Sequence, residues 1–319
     1  MYFKAPALGY TVRQGRRGLR KKIKNLDLYL LLLPTILYFV IFRYIPILGI
    51  QIAFKDYIPV VGIFDSKWAD PLFKHFTRFF NGYYSGRLIT NTLLLSFGQL
   101  LFGFPIPVLL ALLLNEVRSK RVKKFAQTIT YAPHFISVVV VVGLLDSLLN
   151  VRNGLLNTLL VSWGVLQEPV EFLTSPFWFK PLYILSGIWQ EAGWGAVVYM
   201  AALAGVDQQL YEAAKVDGAG RLKRIWHVTL PGIASTMITM LILNCGKVMN
   251  VGYEKVYLMQ NALNISSSDV ISTYVYTTGI LKSQFSFSTA VNLFNSVINT
   301  ILILVVNKIS RKVSETSLW

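Results

Sequence analysis

The chain has 319 residues, 54% of them hydrophobic and only 14% charged, with a mean hydropathy of +0.52. A water-soluble domain carries roughly 25% charged and about 45–50% apolar residues, so the composition excludes a disordered chain, a disulfide scaffold and an ordinary soluble enzyme. The 31 Lys+Arg against 15 Asp+Glu leave +16, which points to nucleic acid or to an anionic membrane surface according to where the charges sit.

In chain order, residues 1–26 come first, with eight Lys/Arg and no acid. A basic stretch of this length before a long apolar run predicts a retained anchor, not a cleaved leader. A spanning helix needs roughly 20 apolar residues, and six segments qualify: about 28–52, 89–115, 126–149, 181–205, 232–254 and 286–307. Pro34, Pro46, Pro105 and Pro107 fall inside two of them. A membrane bundle tolerates this because neighbouring helices satisfy the freed carbonyls. The prediction is an all-α membrane protein with a basic segment 1–26, a six-helix domain 27–308 and a tail 309–319.

Charge sets the orientation, because loops on the cytoplasmic side collect Lys and Arg. Segment 1–26, loop 117–125, loop 206–230 and the tail from Lys308 share one face, with 20 basic residues against six acidic once the flanking Asp27 and Glu116 are included. The rest of the chain carries 11 against nine. The N- and C-termini are therefore expected in the cytoplasm, anionic lipid accounts for the surplus, and nucleic acid is not needed as a partner. The long outer segment 55–87 is rich in aromatics, among them Trp68, Phe73 and Tyr83; it reads as an interfacial belt or as a docking surface.

The loop 206–230 is the most informative. Asp207 is a good N-cap, residues 208–216 favour a helix, and Gly218 and Gly220 end it. Residues 221–228 form a second short helix before Leu230-Pro231-Gly232 opens the fifth span. A cytoplasmic helix–glycine turn–helix with adjacent small residues, Ala213 and Ala214, suits insertion into a partner's groove.

Glu212-Ala213-Ala214, then Gly218, Val228 and Leu230-Pro231, resembles the "EAA" motif of ABC importer permease subunits, with Val228 where the family most often has Ile. Tyr199–Tyr211, Tyr131–Ser137 and the tail Asn307–Trp319 resemble the carbohydrate branch, including alginate-type and lipoprotein-dependent importers. The resemblance runs from about residue 26 to the end. It implies a type I importer permease in a bacterial inner membrane, without catalytic activity. It also implies a second homologous permease subunit, two ATP-binding subunits, an external solute-binding protein and an oligo- or polysaccharide substrate, possibly acidic. Glu212, Ala213, Ala214, Gly218, Leu230 and Pro231 would couple the chain to its ATPase. No Gly-x-x-x-x-Gly-Lys-Ser/Thr phosphate loop occurs, Gly246-Lys247 being followed by Val248. ATP and Mg would thus belong to the partner, and this chain is expected to hold no cofactor.

Polar groups inside spans are functional candidates by default. Trp189, Gln190 and Glu191 in the fourth span, with Asn244, Lys247 and Asn250 in the fifth, could hydrogen-bond and stack a sugar, Lys247 suiting an anionic one. Alternatively Glu191 and Lys247 pair with each other, or the amides only hold helices together. Asn292, Asn295 and Asn299 share one face of the sixth span and read as interhelical glue. His75, His134 and His227 lack metal-ligand spacing, and no catalytic constellation is present. The rival readings are an ion-driven transporter, which leaves the 206–230 loop unexplained, and a membrane-embedded glycosyl or lipid transferase, which needs acidic or His catalytic groups near a leaflet that are not found so arranged.

Overall fold

The computed structural model describes residues 26–314. Residues 1–25 of the basic N-terminal segment and 315–319 of the tail lie outside the described residues. Those described are overwhelmingly helical, with no strand and one isolated bridge, Lys55 to Trp68.

The described residues fall into two compact units, one up to residue 51 and one from residue 52 onward. In the first, helix Leu26–Phe39 runs through Pro34 into a π turn, Val40–Tyr44. Pro46 explains the turn: it has no N–H for the i→i−4 ladder, and the Ile45 N–H bonds the Val40 carbonyl instead. The apolar side chains from Leu28 to Leu33 are exposed, as a lipid-facing surface requires.

Four helical stretches are long and apolar enough to cross a membrane, namely Leu28–Phe54, Ser85–Glu116, Arg221–Cys245 and Phe285–Lys312. A bent pair, Lys120–Phe135 with Val138–Leu149, raises the number to as many as five. Six spans were expected. The difference lies in helix Pro176–Ala204, whose 29 residues reach about 43 Å at 1.5 Å each, yet whose Gln190, Glu191 and three glycines dilute its apolar character.

Two expected spans are also interrupted. The segment predicted as one helix over 126–149 turns through 102°. Pro133 lies in the short 3-10 turn Ala132–Phe135, and Ile136 and Ser137 are extended. The Ser137 hydroxyl then accepts the Val140 N–H at 3.4 Å and starts helix Val138–Leu149 afresh. The predicted span 232–254 stops at Cys245, with Gly246 as its C-cap. Residues 246–252 are non-helical, and helix Tyr253–Met259 follows.

Apolar packing gains little in lipid, where the tails are as apolar as a leucine, so polar contacts carry much of the helix specificity. Asn91 Nδ2 donates to the carbonyls of Ser266 and Asp269, both at 3.0 Å. Asn295 and Asn299 hold the interrupted segment: Asn295 Nδ2 donates to Met249 O at 3.0 Å, and Asn299 Oδ1 accepts the Met249 N–H at 2.9 Å. Asn292, expected on the same face, is exposed. Close approach is equally specific. A Cβ at Gly193 would lie 1.8 Å from the Thr130 carbonyl oxygen, so only glycine lets Pro176–Ala204 pass helix Lys120–Tyr131.

Candidate functional site

Two features stand apart from structural packing: the 206–230 loop and a half-open cavity. In the loop, Asp207 caps helix Gln208–Val216, its Oδ1 accepting the Gln209 N–H at 2.9 Å. The C-terminus closes with paired bonds, Gly218 N–H to Lys215 O at 3.0 Å and Ala219 N–H to Ala214 O at 2.9 Å. This arrangement places Gly218 in the left-handed region, at φ +74°. Nothing lies within 4 Å of where its Cβ would be, so backbone conformation and not space demands the glycine.

Glu212 and Ala213 are exposed, Ala214 half-buried. The loop also shows apolar side chains to the outside: Leu210, Val216, Leu222 and Trp226, with Val216 88% exposed. On its other side Tyr211, Ile225, Val228 and Leu230 pack on a buried cluster that includes Val108, Ala111, Ala196, Tyr199 and Ile233. The Tyr211 hydroxyl reaches Thr229 Oγ1 at 3.1 Å, and Thr229 is buried. Pro231 follows the π turn Ile225–Thr229, which continues directly into helix Leu230–Cys245, and it supplies no N–H to the ladder there. The Leu230 N–H bonds Ile225 O across the π turn before it. The loop is thus fastened to three membrane helices while its Glu212 face stays free.

The cavity, of about 350 Å3, is lined by Gln99, Pro107, Tyr183, Glu191, Trp194, Asn244, Lys247 and Asn250, among others. It adjoins the loop's cluster, since Pro107 and Gly195 in its wall neighbour Val108 and Ala196 in the sequence. Of the predicted polar residues, Glu191, Asn244, Lys247 and Asn250 come together here. Two do not. Trp189 lines a separate apolar groove with Val141, Leu144 and Leu185, and Gln190 is buried with its Nε2 donating to Ile136 O at 2.8 Å, where it holds the 102° elbow.

Glu191 does not pair with Lys247. Its partner is His134, whose Nδ1 lies 2.9 Å from Glu191 Oε2. The His134 ring stacks on Trp194, with centroids 4.7 Å apart and planes 2° from parallel. His134 stands 57 residues away in sequence, and no local pattern announces the pairing. Asn250 Oδ1 accepts from Asn299 Nδ2 at 3.0 Å, so that residue also serves helix packing. No group of three or more His, Cys, Asp or Glu that could hold a metal occurs among the described residues.

Several apolar spans, a half-open cavity with charged and amide groups in its wall and an exposed glycine-capped helix fastened to that wall define a membrane transport subunit. The chain belongs to the family of the binding-protein-dependent transport system inner membrane component, which matches residues 89–315. It is 46% identical over 318 residues to the polygalacturonan/rhamnogalacturonan transport system permease protein YteP of Bacillus subtilis (strain 168), covering 99% of this chain and 98% of that one. It is 48% identical over 292 residues to protein LplB of the same organism, covering 92% and 91%. It superposes with a TM-score of 0.86 at 43% identity on a chain in the crystal structure of a bacterial alginate ABC transporter in complex with alginate pentasaccharide-bound periplasmic protein, covering 94% and 99%. The fold is the type I ABC permease fold, and the function is that of a permease component in a carbohydrate or polysaccharide importer.

Proposed function

We propose that this permease moves an acidic oligo- or polysaccharide across a bacterial inner membrane. In this reading it works with a second homologous permease subunit, two ATP-binding subunits and an external solute-binding protein. It crosses the membrane six times, helix Pro176–Ala204 included, with both termini and the 206–230 loop in the cytoplasm. ATP and Mg are held by the ATPases, and this chain performs no bond chemistry. Glu212, Ala213, Ala214 and Gly218 seat in the ATPase groove, with Leu230 and Pro231 passing its closure to the membrane helices.

The observation that carries the reading is the double character of the loop. One face, with Glu212, Val216 and Trp226, is exposed although partly apolar, which suits a helix-in-groove partner. The other is bound through Tyr211 and Thr229 to helices that wall the cavity. Movement imposed on the loop therefore reaches Gly195 and Pro107 through packed side chains. Acidic substrates are supported by the lysine in the cavity and by the polygalacturonan and alginate named for the relatives.

The test is co-purification from native membranes with identification of the bound chains and glycan, together with labelling of a cysteine at position 212. ATP-binding subunits in the eluate and label reaching position 212 only from the cytoplasmic side are expected. A complex without an ATPase, or a position 212 labelled from outside, sinks the proposal.

A further inference from the structure

The cavity has a second cation behind its wall. Lys255, in the short helix Tyr253–Met259, is only 7% exposed. Its ammonium donates to the Tyr183 carbonyl at 3.2 Å and lies 5.0 Å from the Tyr183 ring centroid. Tyr183 itself lines the cavity, as does Val251, in the non-helical segment just before the helix that carries Lys255.

Another buried lysine shows what a structural role looks like. Lys55, 3% exposed, gives its ammonium to two carbonyls, Ile63 O at 2.6 Å and Phe64 O at 3.1 Å, and rests on the Trp68 ring. An ammonium has three protons to donate. Lys55 places two on protein oxygens; Lys255 places one. Among the described residues no carboxylate lies within ion-pair distance of Lys255. Glu191 acts on it only at longer range, and its own close partner is His134. A buried cation with one hydrogen bond and no counter-charge is poorly compensated. It sits one aromatic ring away from the cavity where Lys247 is exposed.

We propose that Lys255 is a specificity-determining residue that binds a carboxylate of the translocated glycan, the ammonium reaching the cavity past the Tyr183 ring and sharing the anion's charge with Lys247. The inference rests on the acidic-glycan reading above and assigns it a side chain. The glycan carboxylate supplies the acceptor that Lys255 lacks in the empty protein, and a neutral sugar does not. Discrimination then arises inside the membrane as well as at the external binding protein.

The experiment uses the complete importer in proteoliposomes, with uptake of an oligogalacturonide and of its partly methyl-esterified form. Lys255→Met should cut uptake of the acid roughly 30-fold or more, as loss of one partner in a desolvated charge pair does, and should cut uptake of the ester less. Lys255→Arg should restore the acid. Assembly and thermal stability of Lys255→Met should match or exceed wild type, because an underpaired buried charge has been removed. Equal loss for both glycans, or unimpaired uptake of the acid, overturns the proposal. So does a fall in assembly or thermal stability for both Lys255→Met and Lys255→Gln, which would make the residue a structural prop. Failure of the underlying reading looks different: the wild-type importer itself would move a neutral oligosaccharide and leave the oligogalacturonide outside.

Discussion

In the 206–230 loop, nine consecutive residues from Gln208 to Val216 fold on their own hydrogen bonds, begin at their own Asp207 and end at their own Gly218. Around the cavity the polar groups are gathered from afar: Gln99, Glu191 and the pair Lys247 and Asn250 come from three separate stretches of chain, and Glu191 takes its partner from 57 residues away. The loop is a self-contained shape, whereas the cavity is a product of the whole bundle. On the proposed function, mechanical coupling uses the first kind of construction and substrate choice the second.

Substitutions separate the two. The largest effect is expected for Glu212→Lys, which reverses charge on the exposed face and touches no packed residue. Uptake should fall about 10- to 100-fold, the range of a lost allosteric coupling, while membrane insertion and basal ATPase activity persist. Normal uptake would break the distinction. Gly218→Val should follow. A side chain at φ +74° costs roughly 1–2 kcal/mol, and a β-branched one sits at the top of that range. ATP hydrolysis should then run partly uncoupled from uptake, with Gly218→Asn close to wild type because asparagine tolerates the left-handed region. If Gly218→Asn is as impaired as Gly218→Val, backbone conformation does not govern the turn.

Glu191→Gln sharpens the cavity side. It removes the charge facing His134 yet keeps an acceptor, so a change of a few-fold in uptake is expected, and His134→Gln should reproduce it without adding to it in the double variant. Full additivity would show that the two act separately. The smallest effect concerns Asp269, paired with Arg87 at 2.9 Å. Burial pushes its carboxyl above the usual aspartate value, outweighing the opposing pull of Arg87. A raised carboxyl contributes stability below the unfolded-state value and loses it as pH rises through the folded-state one. Thermal unfolding of the purified chain should therefore show a modest decline over that window, flattened in Asp269→Asn.

The same contrast decides what could be read from the residues alone. Glu212-Ala213-Ala214 and Gly218 are visible because their spacing is local. The elbow at Ile136 and Ser137 is hidden by a run without a charged residue over 125–145; Pro133 and a serine before five valines are its signals. Gly246 likewise marked the end of the fifth span nine residues early. Gln190 was grouped with Glu191 by adjacency, although neighbours on a helix point about 100° apart. Nothing in the sequence separated Lys255 from Lys247 or linked His134 to Glu191, since both relations are made by tertiary packing.

That 100° has a mechanical meaning at the elbow. Gln190 grips the corner carbonyl of Ile136, and Glu191 grips His134 two residues earlier. Pro176–Ala204 thus holds the corner like a bracket bolted at two angles, and the bend between Lys120–Tyr131 and Val138–Leu149 cannot pivot on it without breaking one of the two bonds.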